Sequence, residues 1–155
     1  MRPGMDNGAP LAYFPNMADK EKADTKLKAA IDEFACQTGT LHRAEGEWLF
    51  LVSQHGVPEV LWDKISKIPF GKGIAGVAAR KKEPVELCNL QENLEGVAKS
   101  DARKTGVSGS LAVPILNESG DVLGTIGVGK IEPYDFTEQE KERLSELGKE
   151  LVPFL

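Results

Sequence analysis

The stretch from residue 110 to residue 128 restricts the fold more than any other, because it contains two apolar segments joined by a short turn. Segments 110–116 and 121–128 are rich in Val, Ile and Leu, and Glu118, Ser119 and Gly120 lie between them. Such a pattern predicts an antiparallel hairpin. Parallel strands would need a long crossover connection, which this stretch lacks. We therefore expect a largely antiparallel sheet.

Helical patterns flank the strand patterns at both ends of the chain. Apolar residues fall on one helical stripe over 19–36, and Thr137 and Glu140 have the spacing of a capping box at the start of a final helix. The intervening patterns predict strands at 40–44, 47–53, 65–70 and 83–88, short helices near 58–62 and at 74–82, and an irregular pocket or lid segment at 89–105. This order predicts an α+β fold with the terminal helices packed on one face of the sheet.

Three glycines between the strand at 65–70 and the helix at 74–82 spell G-x-G-x-x-G: Gly71, Gly73 and Gly76. Glycine permits a sharp turn or a close approach to a ligand. A dinucleotide site would also need a parallel βαβ unit, and an antiparallel hairpin follows instead. A phosphate-binding P-loop would need Lys followed by Ser or Thr after the last glycine, and these are absent.

Composition excludes several other classes of protein. The net charge of −5 argues against a sequence-independent nucleic-acid binder, and no apolar run reaches the length of about 20 residues that crosses a membrane. Cys36 and Cys88 lack metal-ligand spacing, so we expect no metal and no cofactor. We expect reduced thiols, a cytoplasmic location, a flexible leader at 1–17 and one domain at 18–155.

Six motifs in order resemble those of GAF domains, the small-molecule sensing modules related in shape to PAS domains. They are Thr38 to His42, Ile68 to Gly76, Pro84-Val85, Ala112 to Ile115, Asp121 to Gly124, and Phe136-Thr137 with Glu140. The resemblance covers residues 26–151. It implies an antiparallel sheet of about six strands, with helices on one face and a ligand pocket on the other, roofed by the glycine loop and segment 89–105. It also implies dimerisation through the terminal helices.

A pocket in such a fold is expected to be mostly apolar with few polar groups. We predict ten lining residues; the alternative is that these side chains only fill a core. The candidates are Phe50, Phe70, Ile74, Val85, Leu87, Asn89, Leu94, Val97, Ser108 and Ser110.

The resemblance also raises an enzymatic alternative, because free methionine-(R)-sulfoxide reductases are single-domain GAF proteins of about this length. They carry cysteines in and before the glycine loop and in the following lid, and an acid before the Val-Pro pair. Here Ala75 stands in the loop, segment 89–105 contains no cysteine, and Ser110 replaces the acid. We therefore predict no catalytic residues and no enzymatic activity, although an unfamiliar thiol chemistry at Cys88 stays open.

Cyclic-nucleotide binding is a further alternative within the family. The signature of such GAF domains survives here only in Lys130, Phe136 and Glu140, while Gly129 and Gln139 replace its Asn and Asp. The chain has only two histidines, and we interpret His42 as a core or edge residue with a satisfied ring. The hypothesis we favour is a non-catalytic sensor that binds a small molecule and signals to an effector protein, against a structural dimer module with a vestigial pocket.

Overall fold

The computed structural model describes residues 5–6, 9–10, 17–88 and 106–155. Near the start of the chain, β1 (Met5–Asp6) pairs antiparallel with β2 (Ala9–Pro10). The rest of the predicted leader lies outside the described residues, so the division into a leader and a domain stays a prediction. Helix α1 then spans Met17–Glu33.

The α+β architecture predicted from the sequence is confirmed. Six strands form one antiparallel sheet in the order β5-β4-β3-β8-β7-β6. The strands are β3 (Thr38–Glu45), β4 (Trp48–His55), β5 (Lys67–Pro69), β6 (Val85–Leu87), β7 (Gly109–Leu116) and β8 (Val122–Lys130). The other helices are α2 (Trp62–Ile65), α3 (Gly73–Lys81) and α4 (Glu138–Glu150), with 3-10 turns at Glu59–Leu61 and Val152–Phe154.

The predicted hairpin is formed by β7 and β8, and Gly120 takes a φ of 84° in its turn. Strand β7 contains Pro114, which has no N–H to give to a neighbouring strand. It is tolerated because β6 pairs only with Ser110, Leu111 and Ala112, so the neighbour on that side has already ended. The short β6 lies at the edge of the sheet.

Helix α1 ends at Glu33, three residues earlier than the apolar stripe predicts. Ala35 adopts a φ of 53°, and the Cys36 N–H donates to the Ile31 carbonyl at 2.9 Å. This left-handed residue with a closing hydrogen bond has the form of a Schellman cap. It turns the chain directly into β3.

The main core lies between the sheet and the two long helices, as expected. Leu27 of α1 and Leu144 of α4 are fully buried against Leu41, Leu111 and Ile126 of the sheet. Burying such side chains contributes about 1.5–3 kcal/mol each. The capping box at the start of α4 is present, since the Thr137 hydroxyl accepts from the Glu140 N–H at 3.1 Å and the Glu140 carboxylate accepts from the Thr137 N–H at 2.9 Å.

Candidate functional site

The sheet has two differently covered faces, which strand alternation distinguishes. Leu111 and Ile126 belong to the core beneath α1 and α4, so we call that side the α1/α4 face. Their neighbours Ala112 and Thr125 point the other way and are still buried, at 1% exposure each. Helix α3 packs against β7, β8 and β6 on that side, which we call the α3 face. The ligand pocket expected from the resemblance would lie on the α3 face, opposite α1 and α4.

The glycine loop makes the sharp connection from β5 into α3. Gly71 and Gly73 have φ values of 91° and 66°, which glycine adopts at no steric cost. A Cβ on Gly76 would lie 2.7 Å from the Pro69 carbonyl oxygen, so glycine lets α3 start close to β5. The Arg80 guanidinium reaches back and donates to the Phe70 carbonyl at 3.0 Å. Backbone geometry alone therefore explains why each of these three positions is a glycine.

Three predicted lining residues come together at the β6 edge of the α3 face. Leu87 pairs with Ser110 across β6 and β7, and Val85 pairs with Ala112. Between them, Glu86 points to the opposite face, where its carboxylate lies 2.7 Å from the Lys141 ammonium of α4. Alternation therefore places Val85 and Leu87 on the α3 face, together with Ser110.

Three further candidates lie in different parts of the fold. Ser108 is buried just before β7, and its N–H donates to the Lys130 carbonyl at 2.7 Å. Ile74 lies in the first turn of α3 and is half-buried, and Phe70 immediately precedes the loop and is also half-buried. Only Ser108 lies near β6 and β7, whereas Phe70 follows β5 at the opposite edge of the sheet. The role of all three residues in binding stays a prediction.

Phe50 does not join the other candidates. It pairs with Arg43 on β3 and with Lys67 on β5, and the Arg43 guanidinium lies 4.7 Å from its ring centre. The Lys67 ammonium lies 5.8 Å from the same ring and 4.3 Å from that of Trp48. Arg43 follows His42 along β3 and so points away from the α3 face. Phe50 therefore belongs to a cation–aromatic cluster on the other side of the sheet.

Asn89, Leu94 and Val97 lie outside the described residues, as does the whole predicted lid at 89–105. Within the described ranges, His, Cys, Asp and Glu side chains form no group of three that could hold a metal ion. Across those same ranges, no helix combines the length and the apolar character needed to cross a membrane.

A polar pair that sequence reasoning did not assign to the site is buried on the α3 face. His42 of β3 pairs with Thr125 of β8, and both side chains are 1% exposed. The imidazole Nε2 of His42 lies 2.8 Å from the Ile65 carbonyl at the end of α2. Burial lowers the pKa of His42 to about 4, so the ring is neutral near pH 7. The only sequence signal was a polar residue in a strand covered on both faces.

Both cysteines have thiol pKa values above the ordinary range. Burial raises the pKa of the Cys36 thiol to about 11, and Cys36 belongs to the core of the α1/α4 face. Cys88 is exposed, and a hydrogen bond with the Asp135 carboxylate raises its pKa. A thiol held protonated is a poor nucleophile. Asp135 adjoins Phe136, which packs in the same core, so the Cys88 thiol also lies towards the α1/α4 side.

The residues that survive from the cyclic-nucleotide signature also lie on the α1/α4 side. The Lys130 ammonium donates to the Phe34 carbonyl at 2.6 Å and lies 4.4 Å from the Tyr134 ring centre. The Tyr134 hydroxyl donates to the Glu140 carboxylate at 2.8 Å, and Phe136 is buried in the core. Lys130, Phe136 and Glu140 therefore connect the end of α1, the end of β8 and the start of α4.

Solved structures with this fold include regulatory domains and enzymes. The chain matches the GAF domain of a phosphoenolpyruvate-protein phosphotransferase from Coxiella burnetii with a TM-score of 0.71 at 19% identity, over 90% of this chain and 82% of that one. It matches the Acinetobacter counterpart with a TM-score of 0.71 at 17% identity, over 92% and 85%.

An enzyme is equally similar in backbone. The free methionine-(R)-sulfoxide reductase from Neisseria meningitidis, solved with its substrate, matches with a TM-score of 0.69 at 18% identity, over 92% of this chain and 81% of that one. At these identities the matches show the fold alone.

The sequence itself carries the family assignment. No curated protein matches the chain. The family profile described as "GAF domain" matches residues 20–152, which include the whole six-stranded sheet, all of α4 and α1 from Lys20 onward. The chain therefore belongs to the GAF domain family.

Proposed function

We propose that this protein is a non-catalytic GAF module that binds a small molecule on the α3 face and acts in regulation or signalling. The observation that carries the proposal is the state of the two thiols. Cys36 and Cys88 are the only cysteines in the sequence, and both have raised pKa values. Sulfoxide reduction needs a thiolate that attacks sulfur and a second thiol that resolves the sulfenic acid.

Geometry supports the same conclusion. Ala75 lies in the first turn of α3, where the resemblance to the reductases would require a cysteine. The two cysteines lie on the α1/α4 side, across the sheet from α3. A reductase site on the α3 face would therefore have no cysteine nucleophile beside the glycine loop. A binding site needs only apolar walls and a few placed polar groups, which Val85, Leu87 and Ser110 supply.

A reductase assay tests the non-catalytic part of the proposal. The protein is incubated with free methionine-(R)-sulfoxide and a thiol reductant, and methionine formation is followed together with the free thiol count. We expect no methionine above the reductant-only control and an unchanged count of two thiols. Turnover that disappears in Cys88→Ser would refute the proposal.

Native mass spectrometry with a pool of small metabolites tests the binding part. We expect at least one metabolite to be retained, and Ser110→Ala to reduce its retention because that hydroxyl lies on the α3 face. Ser119→Ala is the matched control, since Ser119 is exposed in the β7–β8 turn. No retained molecule, or equal losses in both variants, would argue for a structural module.

We further propose a cytoplasmic homodimer that contacts an effector protein through α1 and α4. Both cysteines are free, which suits a reducing compartment. The Arg143 guanidinium of α4 binds the Glu33 carboxylate of α1 at 2.7 and 3.1 Å, so the two helices present one joined surface. Light scattering should give twice the monomer mass, and a monomer at all concentrations would contradict this arrangement.

A further inference from the structure

His42 is buried in a way that leaves half of its ring without a partner. The ring nitrogen Nε2 lies 2.8 Å from the Ile65 carbonyl oxygen, which can only accept a hydrogen bond. Nε2 must therefore carry the proton, and Nδ1 carries a lone pair. Nδ1 has no hydrogen-bond partner within the described part of the chain and is closed to solvent.

An unpaired buried acceptor destabilises the folded state, because it has lost its hydrogen bonds to water and gained none in return. Packing alone does not explain it, because a leucine would fill a similar volume without a lone pair to desolvate. The strand neighbours of His42 are Thr125 on β8 and Leu51 on β4, and both are buried. The lone pair thus belongs to a buried side chain on the α3 face, whose two strand neighbours carry no charge.

The segment that covers the ring includes β5, an edge strand of the sheet. Residues 57–70 carry α2 and β5 and are bounded by Gly56 and Gly71, with φ values of 81° and 91°. Strand β5 pairs with β4 over Lys67–Pro69, and Leu51 N–H donates to the Ser66 carbonyl at 3.0 Å. A short edge strand with one neighbouring strand opens at lower free energy than the central sheet.

We propose that Nδ1 of His42 accepts a hydrogen bond from an N–H or O–H group of an uncharged ligand, which enters the α3 face when segment 57–70 opens. This inference rests on the proposed binding function and names its ligand class: amides, azoles, ureides or alcohols. Carboxylates and phosphates are excluded at this point, because an anion would lose its solvation and face a lone pair inside a buried site.

Matched pairs of small probes isolate the hydrogen bond from the shape of the ligand. Pyrrole and furan, and likewise indole and benzofuran, have nearly the same shape, but only the first of each pair offers an N–H. Pairing a buried acceptor should make the N–H probe bind about tenfold more tightly or better. Binding is followed by the backbone amide resonances of β3, β8 and α3.

Nitrogen-15 labelling of histidine reads the contact directly. The chain has two histidines, and His55 is exposed, so His55→Gln assigns the ring signals and serves as the control variant. In the free protein, Nδ1 of His42 should resonate as an unprotonated nitrogen without a hydrogen bond. Pyrrole or indole should shift it upfield, whereas furan and benzofuran should not.

The His42→Leu variant should bind both members of a pair equally, while His55→Gln keeps the preference. If the N–H and oxygen probes bind the α3 face equally well and the Nδ1 signal does not move, this inference is overturned while the binding function stands. The same holds if Nδ1 already resonates as a hydrogen-bonded acceptor in the free protein. If no probe perturbs any resonance of the α3 face, both this inference and the proposed function fail.

Discussion

Replacing Lys130 by methionine should destabilise the protein by an amount that the contacts of its ammonium group determine. Lys130 is the last residue of β8, and its ammonium donates to the Phe34 carbonyl at 2.6 Å and to the Ala35 carbonyl at 3.4 Å. It also lies 4.4 Å from the Tyr134 ring centre. Methionine keeps most of the apolar stem and removes the charge, so Lys130→Met tests this contact set with little change in packing.

The magnitude follows from the two stronger contacts. A hydrogen bond from a charged donor contributes about 1.5–3 kcal/mol, and a partly exposed cation–π contact about 0.5–1 kcal/mol. The longer bond to Ala35 adds little, because Ala35 is exposed and water can replace the ammonium there. We expect Lys130→Met to lower the free energy of unfolding by about 2–3 kcal/mol, and Tm by about 5–10 °C for a domain of this size.

Lys28→Met is the matched control. The Lys28 ammonium lies 2.6 Å from the Asp32 carboxylate, as short as the contact of Lys130, but the two side chains are 45% and 61% exposed. An exposed pair of this spacing contributes only about 0.3–0.5 kcal/mol. Urea unfolding of both variants gives the comparison. Equal losses within about 0.5 kcal/mol would refute the argument that burial, rather than distance, decides the contribution.

Other contacts predict equally specific outcomes. The pKa of His42 is about 4 in the folded protein and near 6.5 when unfolded, so as pH falls from 6.5 to 4 the unfolded state binds the proton first. The free energy of unfolding should fall over that range, and a pH slope unchanged in His42→Leu would contradict this. Iodoacetamide should modify Cys88 and leave Cys36 intact in the folded protein, because Cys36 is buried with a pKa of about 11; equal labelling by peptide mass would be the contrary result. Gly124→Ala should severely destabilise the sheet, since its Cβ would lie 2.1 Å from a backbone carbonyl of β3, whereas the nearest atom to a Cβ on Gly127 is a side-chain oxygen at 3.3 Å. The Tm of the two alanine variants should differ by several degrees. Similar Tm values would contradict the close approach of Gly124 to the backbone of β3.

The sequence predicted the features that depend on neighbouring residues. The hairpin of β7 and β8 needs only two apolar segments and a turn in which Gly120 can take a positive φ. The capping box needs only Thr137 and Glu140 three positions apart. The hairpin predicts an antiparallel sheet, because parallel strands would need a long crossover connection. The helical patterns at both ends of the chain then predict helices on one face of that sheet.

The face on which Phe50 lies could not be predicted, because β4 is apolar on almost every position. Alternation therefore gives no information about which of Leu49, Phe50, Leu51 and Val52 point to α3. The register with β3 also shifts between Leu41 and His42, and such an irregularity changes which residues oppose one another. Only the pairing of Phe50 with Arg43 shows that the ring lies away from the α3 face.

The partner of His42 was equally hidden from sequence reasoning, because Ile65 lies 23 positions further along the chain. A histidine in an apolar strand predicts a satisfied ring in most proteins, since buried polar groups are usually paired. Here the strand position left a core and an edge location open, and satisfaction of the ring depends on where α2 ends. Nε2 lies within hydrogen-bond distance of a carbonyl oxygen, whereas Nδ1 has no hydrogen-bond partner in the described part of the chain.

The structure therefore changes which of two features is the better candidate for ligand binding: His42 rather than the glycine loop. The three glycines suggested a ligand contact, yet the turn at Gly71 and Gly73 and the approach of Gly76 to Pro69 account for them without a ligand. His42 suggested only packing, yet its Nδ1 is a buried acceptor that packing leaves unpaired. Since folding accounts for the loop but not for the lone pair, recognition on the α3 face is better sought at His42, and substitutions in the loop should change stability before they change ligand selectivity.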